Sequence, residues 1–417
     1  MFEEILVQAW ASLRRQPVRS CLTMAGIVWG IVSVTMLLAY GTGFRHVLMS
    51  TFQAFGKDVI ICWPGATSEQ AGGERAGQQV KFEQEDADNI RAAATAVKQV
   101  CRETVKFKPL THEERFGNTA VRGVCPEYGD MRNEVPGEGR WLSADDELNH
   151  RRVAFLGALI KKKLFAGMPA VGAVLRIDGT PFTVVGTMDR KFQDSAYFTS
   201  DDNSVWIPYS AASDLWDTKS ASVLVVTPVA VEMERKAQQQ VLSILAERQH
   251  FSPTDKRAVR MISMAAFRPI YVTISYGLEI LLLFVGLLTL GIGGIGVMNI
   301  MLVTVNERTR EIGLRRALGA RRGHIRVQFL TEALALTLAG GAVGVALSVV
   351  IGAAIGTLPF LGPAYEDTSG AVDIHMRVSW QILLASVAVL VIVGVLSGIV
   401  PAMRAAKLDP VEALRYE

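Results

Sequence analysis

Four long stretches without a charged side chain constrain this sequence more than any other feature. They cover residues 20–44, 280–306, 333–365 and 378–403, or 25, 27, 33 and 26 residues. A helix needs about 20 apolar residues to cross the hydrocarbon core of a bilayer. Buried helices of soluble proteins seldom lack charge over such lengths, so we predict four transmembrane helices. Pro359 and Pro363 lie in the third stretch and predict that its helix ends near Leu358.

The first stretch is too long for a signal peptide. A signal peptide has an apolar core of roughly 7–15 residues, followed by a cleavage site with small residues. Residues 20–44 exceed that length, and no such cleavage site stands out after them. We therefore expect this stretch to stay in the protein as a membrane anchor.

The arginines predict the topology. Residues 306–326 carry seven arginines against Glu307 and Glu311, a net charge of 7 − 2 = +5. Residues 359–377 carry three acidic residues against Arg377, a net charge of −2. Positive charge near the ends of spans favours the cytoplasmic side. Both termini and the arginine-rich loop are then cytoplasmic, and residues 45–268 lie outside.

The segment outside the membrane has the pattern of a mixed α/β domain. Eight short apolar runs predict strands at 59–63, 100–107, 118–124, 152–156, 174–177, 182–186, 205–207 and 222–227. Asp178-Gly179 between two of these runs indicates a hairpin. Helices are predicted at 83–94, 158–165 and 231–249. Because the chain enters this domain from one span and leaves into the next, we predict an insertion between helices 1 and 2.

The cysteines allow two interpretations. Cys101 and Cys125 flank two predicted strands around a polar turn at residues 112–116, on the side where thiols are oxidised. A disulfide across the two strands is one interpretation. Unpaired buried thiols are the other, and the sequence leaves both open.

Closely spaced glycines predict tight helix packing. Gly26/Gly30, Gly340/Gly344, Gly352/Gly356 and Gly394/Gly398 have GxxxG spacing, and Gly293, Gly294 and Gly296 cluster in the second span. Small residues allow membrane helices to approach closely, either within one chain or between two copies.

Residues 1–15 have apolar side chains on one helical face, which predicts a helix in the cytoplasmic interface.

Catalytic motifs are missing from the sequence. It has no GxxxxGK[ST] loop for nucleotide phosphates, no HExxH, no zinc-spaced Cys/His cluster and no GxSxG. Charged residues are nearly absent from the spans, which disfavours a proton- or ion-coupled carrier. We therefore expect no catalysis, cofactor, metal or nucleic acid for this chain.

Residues 293–333, "GGIGVMNIMLVTVNERTREIGLRRALGARRGHIRVQFLTEA", closely resemble the permease domain of the MacB family of ABC transporters. The resemblance covers the whole chain, from "AWASLRRQPVRSCLTMAGIVWGIVSV" (9–34) to "PAMRAAKLDPVEALRYE" (401–417). It implies a dimer that transmits mechanical movement from ATPase subunits to the periplasmic domain. The sequence has no ATPase domain, so the resemblance implies ATP and Mg in a separate ABC ATPase chain.

The resemblance also divides the chain into segments. These are a cytoplasmic interfacial helix (1–19), transmembrane helix 1 (20–44), a periplasmic core domain with a porter-like and an inserted lobe (45–268), a stalk with transmembrane helix 2 (269–306), a cytoplasmic coupling loop (307–326), transmembrane helix 3 (327–358), a periplasmic loop (359–377), transmembrane helix 4 (378–403) and a cytoplasmic tail (404–417). The expected location is the bacterial inner membrane, in contact with its lipid.

In the family, the loop between the second and third spans docks on the ATPase. Carried over to this sequence, the docking residues are Glu307, Arg308, Arg310, Glu311, Ile312, Gly313, Leu314, Arg315, Ala317, Leu318 and Gly319. Ile312, Leu314, Ala317 and Leu318 are the expected packing residues. The alternative is that the arginines only satisfy the positive-inside rule and have no protein partner.

Three functions fit the resemblance. The first is export of a periplasmic substrate with an adaptor and an outer-membrane channel, by a homodimer or by a pair of related permeases. The second is extraction of lipoproteins from the membrane. The third is FtsX-like signalling to a cell-wall hydrolase, which a domain of 224 residues (45–268) disfavours because that branch usually has a smaller one.

Overall fold

A computed structural model describes residues 17–56, 58–70, 75–193, 196–365 and 370–415. The backbone forms two compact units. The membrane unit combines Met1–Leu48 with Thr273–Glu417, and the outer unit is Met49–Val272. The interfacial helix was predicted at residues 1–19, and residues 1–16 lie outside the described part of the chain.

In its described residues, the membrane unit contains four helices that are long and apolar enough to cross a membrane. Span helices 1 to 4 are Pro17–Ala54, Arg268–Glu307, Arg322–Ile355 and Trp380–Lys407. Helices 1 and 2 extend well beyond their uncharged stretches because charged residues near the ends of the stretches do not interrupt a helix. Arg45 and Glu279, for example, face each other at 3.5 Å. Helix 3 ends at Ile355, three residues before the predicted end.

Shorter elements complete the membrane unit. Thr309–Ala317 and Pro410–Arg415 are short helices, and Gly362–Tyr365 is a 3-10 turn. Thr357–Leu358 pairs with Ile374–His375 in a small antiparallel ladder between span helices 3 and 4.

Most of the predicted glycines lie where the four span helices touch each other, whereas Gly356 follows the end of span helix 3, and a Cβ atom added there would meet no described atom within 4 Å. A Cβ atom added at Gly30 would lie 2.9 Å from the Leu290 Cα, and one added at Gly293 would lie 2.8 Å from the Gly26 carbonyl oxygen. Helices 1 and 2 therefore approach each other through glycine, as packing in a membrane favours.

Helices 3 and 4 use their glycines in the same way. A Cβ atom added at Gly340 would lie 3.2 Å from Ile27, and one added at Gly398 would lie 2.9 Å from Ala333. Gly344 faces Ile31, and Gly394 faces Thr337. At Gly294, a Cβ atom would lie 2.6 Å from the Ser397 hydroxyl, while Gly296 is half-buried. Packing within one chain thus accounts for these glycine contacts without a second copy.

The outer unit is built on one ten-stranded sheet. Its strands are β1 Ile60–Pro64, β2 Val97–His112, β3 Arg115–Val124, β4 Pro136–Gly139, β5 Val153–Leu156, β6 Val174–Ile177, β7 Thr180–Met188, β8 Ser204–Pro208, β9 Val223–Pro228 and β10 Val259–Ser263. The order is β10-β1-β9-β2-β3-β8-β5-β7-β4, with β6 pairing β2 and β7. Most pairs are antiparallel, and β3/β8 and β5/β7 are parallel.

Helices cover this sheet. They are Gln84–Ala93, Tyr128–Arg132, Ala144–Leu148, Ala158–Phe165, Tyr209–Ala212 and Glu234–Gln249, with 3-10 turns at Asp201–Asn203 and Val231–Met233. All eight predicted strands are present, while β4 and β10 were not predicted. The mixed α/β domain between helices 1 and 2 is thereby confirmed, and its division into two lobes stays a prediction.

Both predicted hairpins form. β2 turns into β3 after His112, and β6 turns into β7 through Asp178 and Gly179. Both of these turn residues have positive φ angles, 49° and 82°, as a two-residue hairpin turn with matching twist requires. Asp178 tolerates this conformation because its short polar side chain is one of the few that visit it.

Candidate coupling site and membership of a permease family

The helix Thr309–Ala317, which we name the coupling helix, lies within the arginine-rich loop. It follows span helix 2 after a break at Arg308 and ends where Gly319 adopts a φ of 97°, the left-handed conformation that commonly stops a helix. Span helix 3 then begins at Arg322. Glycine at 319 therefore has a local structural role in this loop.

One face of the coupling helix is fixed to its own chain. Ile312 is 3% exposed and belongs to the core of the membrane unit. A Cβ atom added at Gly313 would lie 2.6 Å from the Ala413 Cβ in the helix Pro410–Arg415. The Arg316 guanidinium donates a hydrogen bond to the Leu408 carbonyl oxygen. The C-terminal segment of the chain thus holds this helix in place.

Ion pairs add to this anchoring. Arg308 contacts the buried carboxylate of Glu332 at 3.2 Å, which ties the start of the loop to span helix 3. Arg315 contacts Glu311 at 2.6 Å and the Gln328 amide oxygen at 2.8 Å. These contacts give the loop a defined shape, which positive charge alone does not require.

The opposite face is exposed. Leu314 is 52% exposed and Leu318 is 81% exposed, and Arg310 and Ala317 are exposed beside them. Leu314, Ala317 and Leu318 follow Arg310 by four, seven and eight residues. These spacings place the four side chains on one side of a helix. Two leucines and an arginine on one outward face are the type of surface that packs into a groove of a partner.

The structure contradicts Ile312 as a packing residue for a partner and Gly313 as a member of the wider docking set. Ile312 and Gly313 face the interior of the membrane unit, so they are not available to a partner. At about 100° per residue, Ile312 and Leu314 point in nearly opposite directions and cannot share a face. Arg308 faces Glu332 within the chain. The exposed set is Glu307, Arg310, Glu311, Leu314, Ala317, Leu318 and Gly319.

Two family models match the chain. The MacB-like periplasmic core domain matches residues 20–243, more than half of the chain, and the FtsX-like permease C-terminal domain matches residues 283–410. The chain belongs to the MacB-like ABC transporter permeases. The resemblance expected from residues 293–333 is therefore confirmed, and the match to the C-terminal domain covers the coupling helix of this chain.

Two curated relatives agree with this membership. The macrolide export ATP-binding/permease protein MacB of Bdellovibrio bacteriovorus is 30% identical over 99% of this chain and 62% of its own length. The uncharacterized ABC transporter permease YknZ of Bacillus subtilis is 29% identical over 99% of both chains. The solved extracellular domain of YknZ from Gram-positive bacteria matches 49% of this chain at 17% identity, with a TM-score of 0.41. The chain spans about three-fifths of the length of the MacB relatives.

The outer unit of this MacB-like permease contains a buried network of charges that sequence reasoning missed. Arg122 contacts Glu103 at 2.9 Å, and Asp201 contacts Arg132 at 3.1 Å and Lys191 at 2.8 Å. The side chains of the first four residues are inaccessible to solvent, and that of Lys191 is 7% exposed. Such charges are stable inside a protein only when partners compensate them.

The network reaches the end of span helix 1 within the outer unit. The Arg132 guanidinium donates a hydrogen bond to the Phe55 carbonyl oxygen and lies 3.5 Å from the centre of the Phe55 ring. Phe55 directly follows the helix, where carbonyl groups lack helical partners. Arg132 therefore joins the end of this helix to Asp201, just before β8.

Two carboxyl groups of the network have opposite pKa shifts. Burial raises the pKa of Glu134 to about 8, and the nearby Asp201 carboxylate adds to this rise. Burial also opposes ionisation of Asp201, but Lys191, Arg132 and Arg122 outweigh it and hold the pKa of that carboxyl below its ordinary range. The neighbouring cations favour the ionised form of Asp201, whereas burial favours the neutral form of Glu134.

Glu134 predicts a pH dependence of stability. Its pKa is raised from about 4.3 in the unfolded chain, so its stabilising contribution is complete below pH 4 and is lost as the pH rises through about 8. Glu134→Gln mimics the neutral form. The free energy of unfolding of this variant should exceed that of the wild type by an amount that grows from pH 5 to pH 8.5, to a few kcal/mol.

Urea unfolding of the full chain at both pH values measures this difference. Glu232→Gln, at an exposed glutamate, controls for the loss of a carboxylate. A constant difference between Glu134→Gln and the wild type at the two pH values would contradict the assignment.

The structure joins Cys101 and Cys125 in a disulfide bond between β2 and the end of β3, with Cα atoms 5.8 Å apart. The bond closes a loop with a sequence separation of 24 residues. In the chain-entropy model, a loop of this size stabilises the folded state by about 3 kcal/mol. Cys62 is a free, buried cysteine on the neighbouring part of the sheet.

Removing the disulfide should lower the thermal stability of the protein. Cys101→Ser/Cys125→Ser is expected to reduce the unfolding temperature by several degrees, because the unfolded chain gains freedom. Differential scanning fluorimetry of the full chain, with and without reductant, measures this change. Reductant should lower the midpoint of the wild type only. Equal midpoints for wild type and variant under oxidising conditions would show that the bond contributes nothing.

Proposed function

We propose that this chain is the membrane subunit of an ABC transporter and couples ATP hydrolysis by a separate ATPase subunit to movement of its outer unit. The observation that carries the proposal is the outward face of the coupling helix, Arg310, Leu314 and Leu318, on a helix whose other face is fixed to the spans. A relative of matching length, YknZ, is named a permease. The chain itself is a non-catalytic subunit in this proposal.

Movement of the coupling helix would be passed to the rest of the chain. The coupling helix is held to the rest of the membrane unit by Ile312, by Gly313 and by the Arg308–Glu332 pair. A displacement of the coupling helix would therefore displace the span helices. Span helices 1 and 2 are continuous, and each has residues in both units. A continuous helix transmits displacement along its axis better than a loop does. This arrangement supports mechanotransmission.

The proposed setting is the bacterial inner membrane, with the outer unit in the periplasm. We propose a homodimer or a pair with a related permease, each copy docking one ATPase that binds ATP and Mg. Export of a periplasmic substrate through an adaptor and an outer-membrane channel is the proposed activity. Its support is the similarity, over 99% of this chain, to relatives that are named macrolide and pyoverdine export proteins.

Co-purification in mild detergent from the native host tests this function. The tagged full chain should recover a P-loop ATPase and a periplasmic adaptor, which mass spectrometry identifies. An ATPase recovered with lipoproteins or with a cell-wall hydrolase would replace export with extraction or signalling. Recovery of no ATPase, even with ATP trapped, would contradict the coupling role.

A further inference from the structure

An aromatic cavity lies within the outer unit. It has a volume of about 320 Å³, and its walls include Phe52, Phe55, Trp63, Tyr197, Met264 and Tyr271. The ring centres of Trp63 and Tyr197 are 5.9 Å apart, and those of Phe52 and Tyr271 are 4.7 Å apart. Packed rings of this kind form a preshaped apolar wall, as is usual in small-molecule sites.

Tyr197, one of two tyrosines in this wall, has its polar atoms bonded to the buried charge network. The Tyr197 hydroxyl donates to the buried carboxylate of Glu103 and lies 2.9 Å from the Tyr128 hydroxyl. The Tyr197 carbonyl oxygen accepts a hydrogen bond from Arg122 at 2.8 Å. A polar ligand group beside Tyr197 would lose its water without gaining a partner from that residue, which is unfavourable. The cavity therefore favours an apolar group.

A cationic groove adjoins the cavity. It has a volume of about 540 Å³, and Lys256, Arg257 and Arg260 line it together with Trp63 and Ile262. All three cationic side chains are exposed, and none forms an ion pair with a carboxylate in the described part of the chain. Three exposed positive charges around one groove favour a negatively charged group.

The two spaces lie side by side along the sheet and share two lining residues. Trp63 on β1 pairs with Arg260 on β10, so the two side chains lie on the same face. Ile262 is two residues further along β10 on that face, and it lines both spaces, as Trp63 does. Met264 follows and lines the aromatic cavity. The face thus changes from cationic to apolar within a few residues.

We infer that these two spaces form one binding site for a single-chain anionic amphiphile. Its apolar chain would occupy the aromatic cavity, and its carboxylate or phosphate would contact the cations at 256, 257 and 260. Charge complementarity and the shared wall of Trp63 and Ile262 argue for this occupant. The identification of such a molecule as cargo rests on the proposed transport function, but its binding does not.

Photolabelling tests the site. The full chain, in nanodiscs of phosphatidylcholine, is labelled with dodecanoic acid that carries a diazirine at the end of its chain. Mass spectrometry should locate the label within residues 52–63 and 262–271. Dodecyl phosphate should compete with the label, whereas dodecyltrimethylammonium, which has the same chain and the opposite charge, should not.

A matched pair of variants tests the role of the cations. Lys256→Glu/Arg257→Glu/Arg260→Glu should reduce labelling of the cavity about tenfold or more, as three lost charge contacts predict. Lys98→Glu/Arg235→Glu/Lys236→Glu makes the same charge change at exposed positions outside the groove and should label as the wild type does. Equal labelling of the two variants would overturn the inference.

Competition on the wild type keeps the inference testable if a variant does not fold. Equal competition by the cationic and anionic amphiphiles, or label confined to the membrane unit, would overturn it. The labelling needs no ATPase. Failure to label therefore contradicts the amphiphile site, whereas failure to recover an ATPase contradicts the transport function.

Discussion

Leu314→Asp is expected to abolish coupling to the ATPase while the protein still folds and inserts. Leu314 is 52% exposed on the outward face of the coupling helix, so an aspartate there leaves the core of the chain intact. In a docked complex, the new carboxylate would be desolvated without a partner. Loss of a central packing residue weakens interfaces by about 2 kcal/mol or more, or roughly 30-fold in affinity.

Two readouts check this expectation. ATPase recovered with the tagged chain should fall at least tenfold, and transport should be lost, while the amount of membrane-inserted chain stays unchanged. Leu148→Asp makes the same substitution at a leucine of the outer unit that is 79% exposed, and it should leave both readouts as in the wild type. Normal transport by Leu314→Asp would contradict the assignment of this face.

Asp201→Ala is expected to destabilise the outer unit by about 3–5 kcal/mol. Asp201 compensates Arg132 and Lys191 in a region that water does not reach. Removing one member of such a group leaves buried positive charge without compensation, and this accounts for the size of the effect. The unfolding temperature should fall by roughly 10 °C.

Thermal unfolding of the full chain checks this value. Asp145→Ala is the matched control, because Asp145 pairs with Arg151 at 2.8 Å but both side chains are more than half exposed. An exposed pair of this kind contributes about 0–1 kcal/mol. If the two variants lost the same stability, the buried network would have no special structural role.

The four spans could be predicted because a bilayer imposes a length and a lack of charge that are visible in the sequence. Their ends could not be predicted in the same way. Span helix 2 begins at Arg268, twelve residues before the uncharged stretch, since a helix outside the hydrocarbon core tolerates charge. The strands of the outer unit followed their apolar runs, but β4, Pro136–Gly139, has no apolar run to mark it.

The buried network escaped prediction because charged residues are normally exposed. Glu103 and Arg122 belong to strands that pair in the fold, and Asp201 lies far from Arg132 in the chain. Nothing in a single sequence says that they meet. A hint was available in the strand pattern, since Arg122 interrupts the apolar run of β3 at a position that faces the interior.

The coupling helix was predicted from the resemblance, but its orientation was not. The prediction placed Ile312 and Leu314 on one docking face because they are close in sequence. In a helix, residues two positions apart point in nearly opposite directions. Only the tail helix Pro410–Arg415, whose contact with Gly313 depends on the tertiary fold, decides which of them faces inward.

Site-specific photocrosslinking at position 318 tests the central claim most directly. Leu318 is 81% exposed on the outward face, so a photoreactive amino acid at this position should not disturb folding. In the native host, we expect it to capture a P-loop ATPase, and the same amino acid at position 148 in the outer unit to capture none. Capture of no ATPase at position 318 while the chain is inserted and active would contradict coupling through this helix.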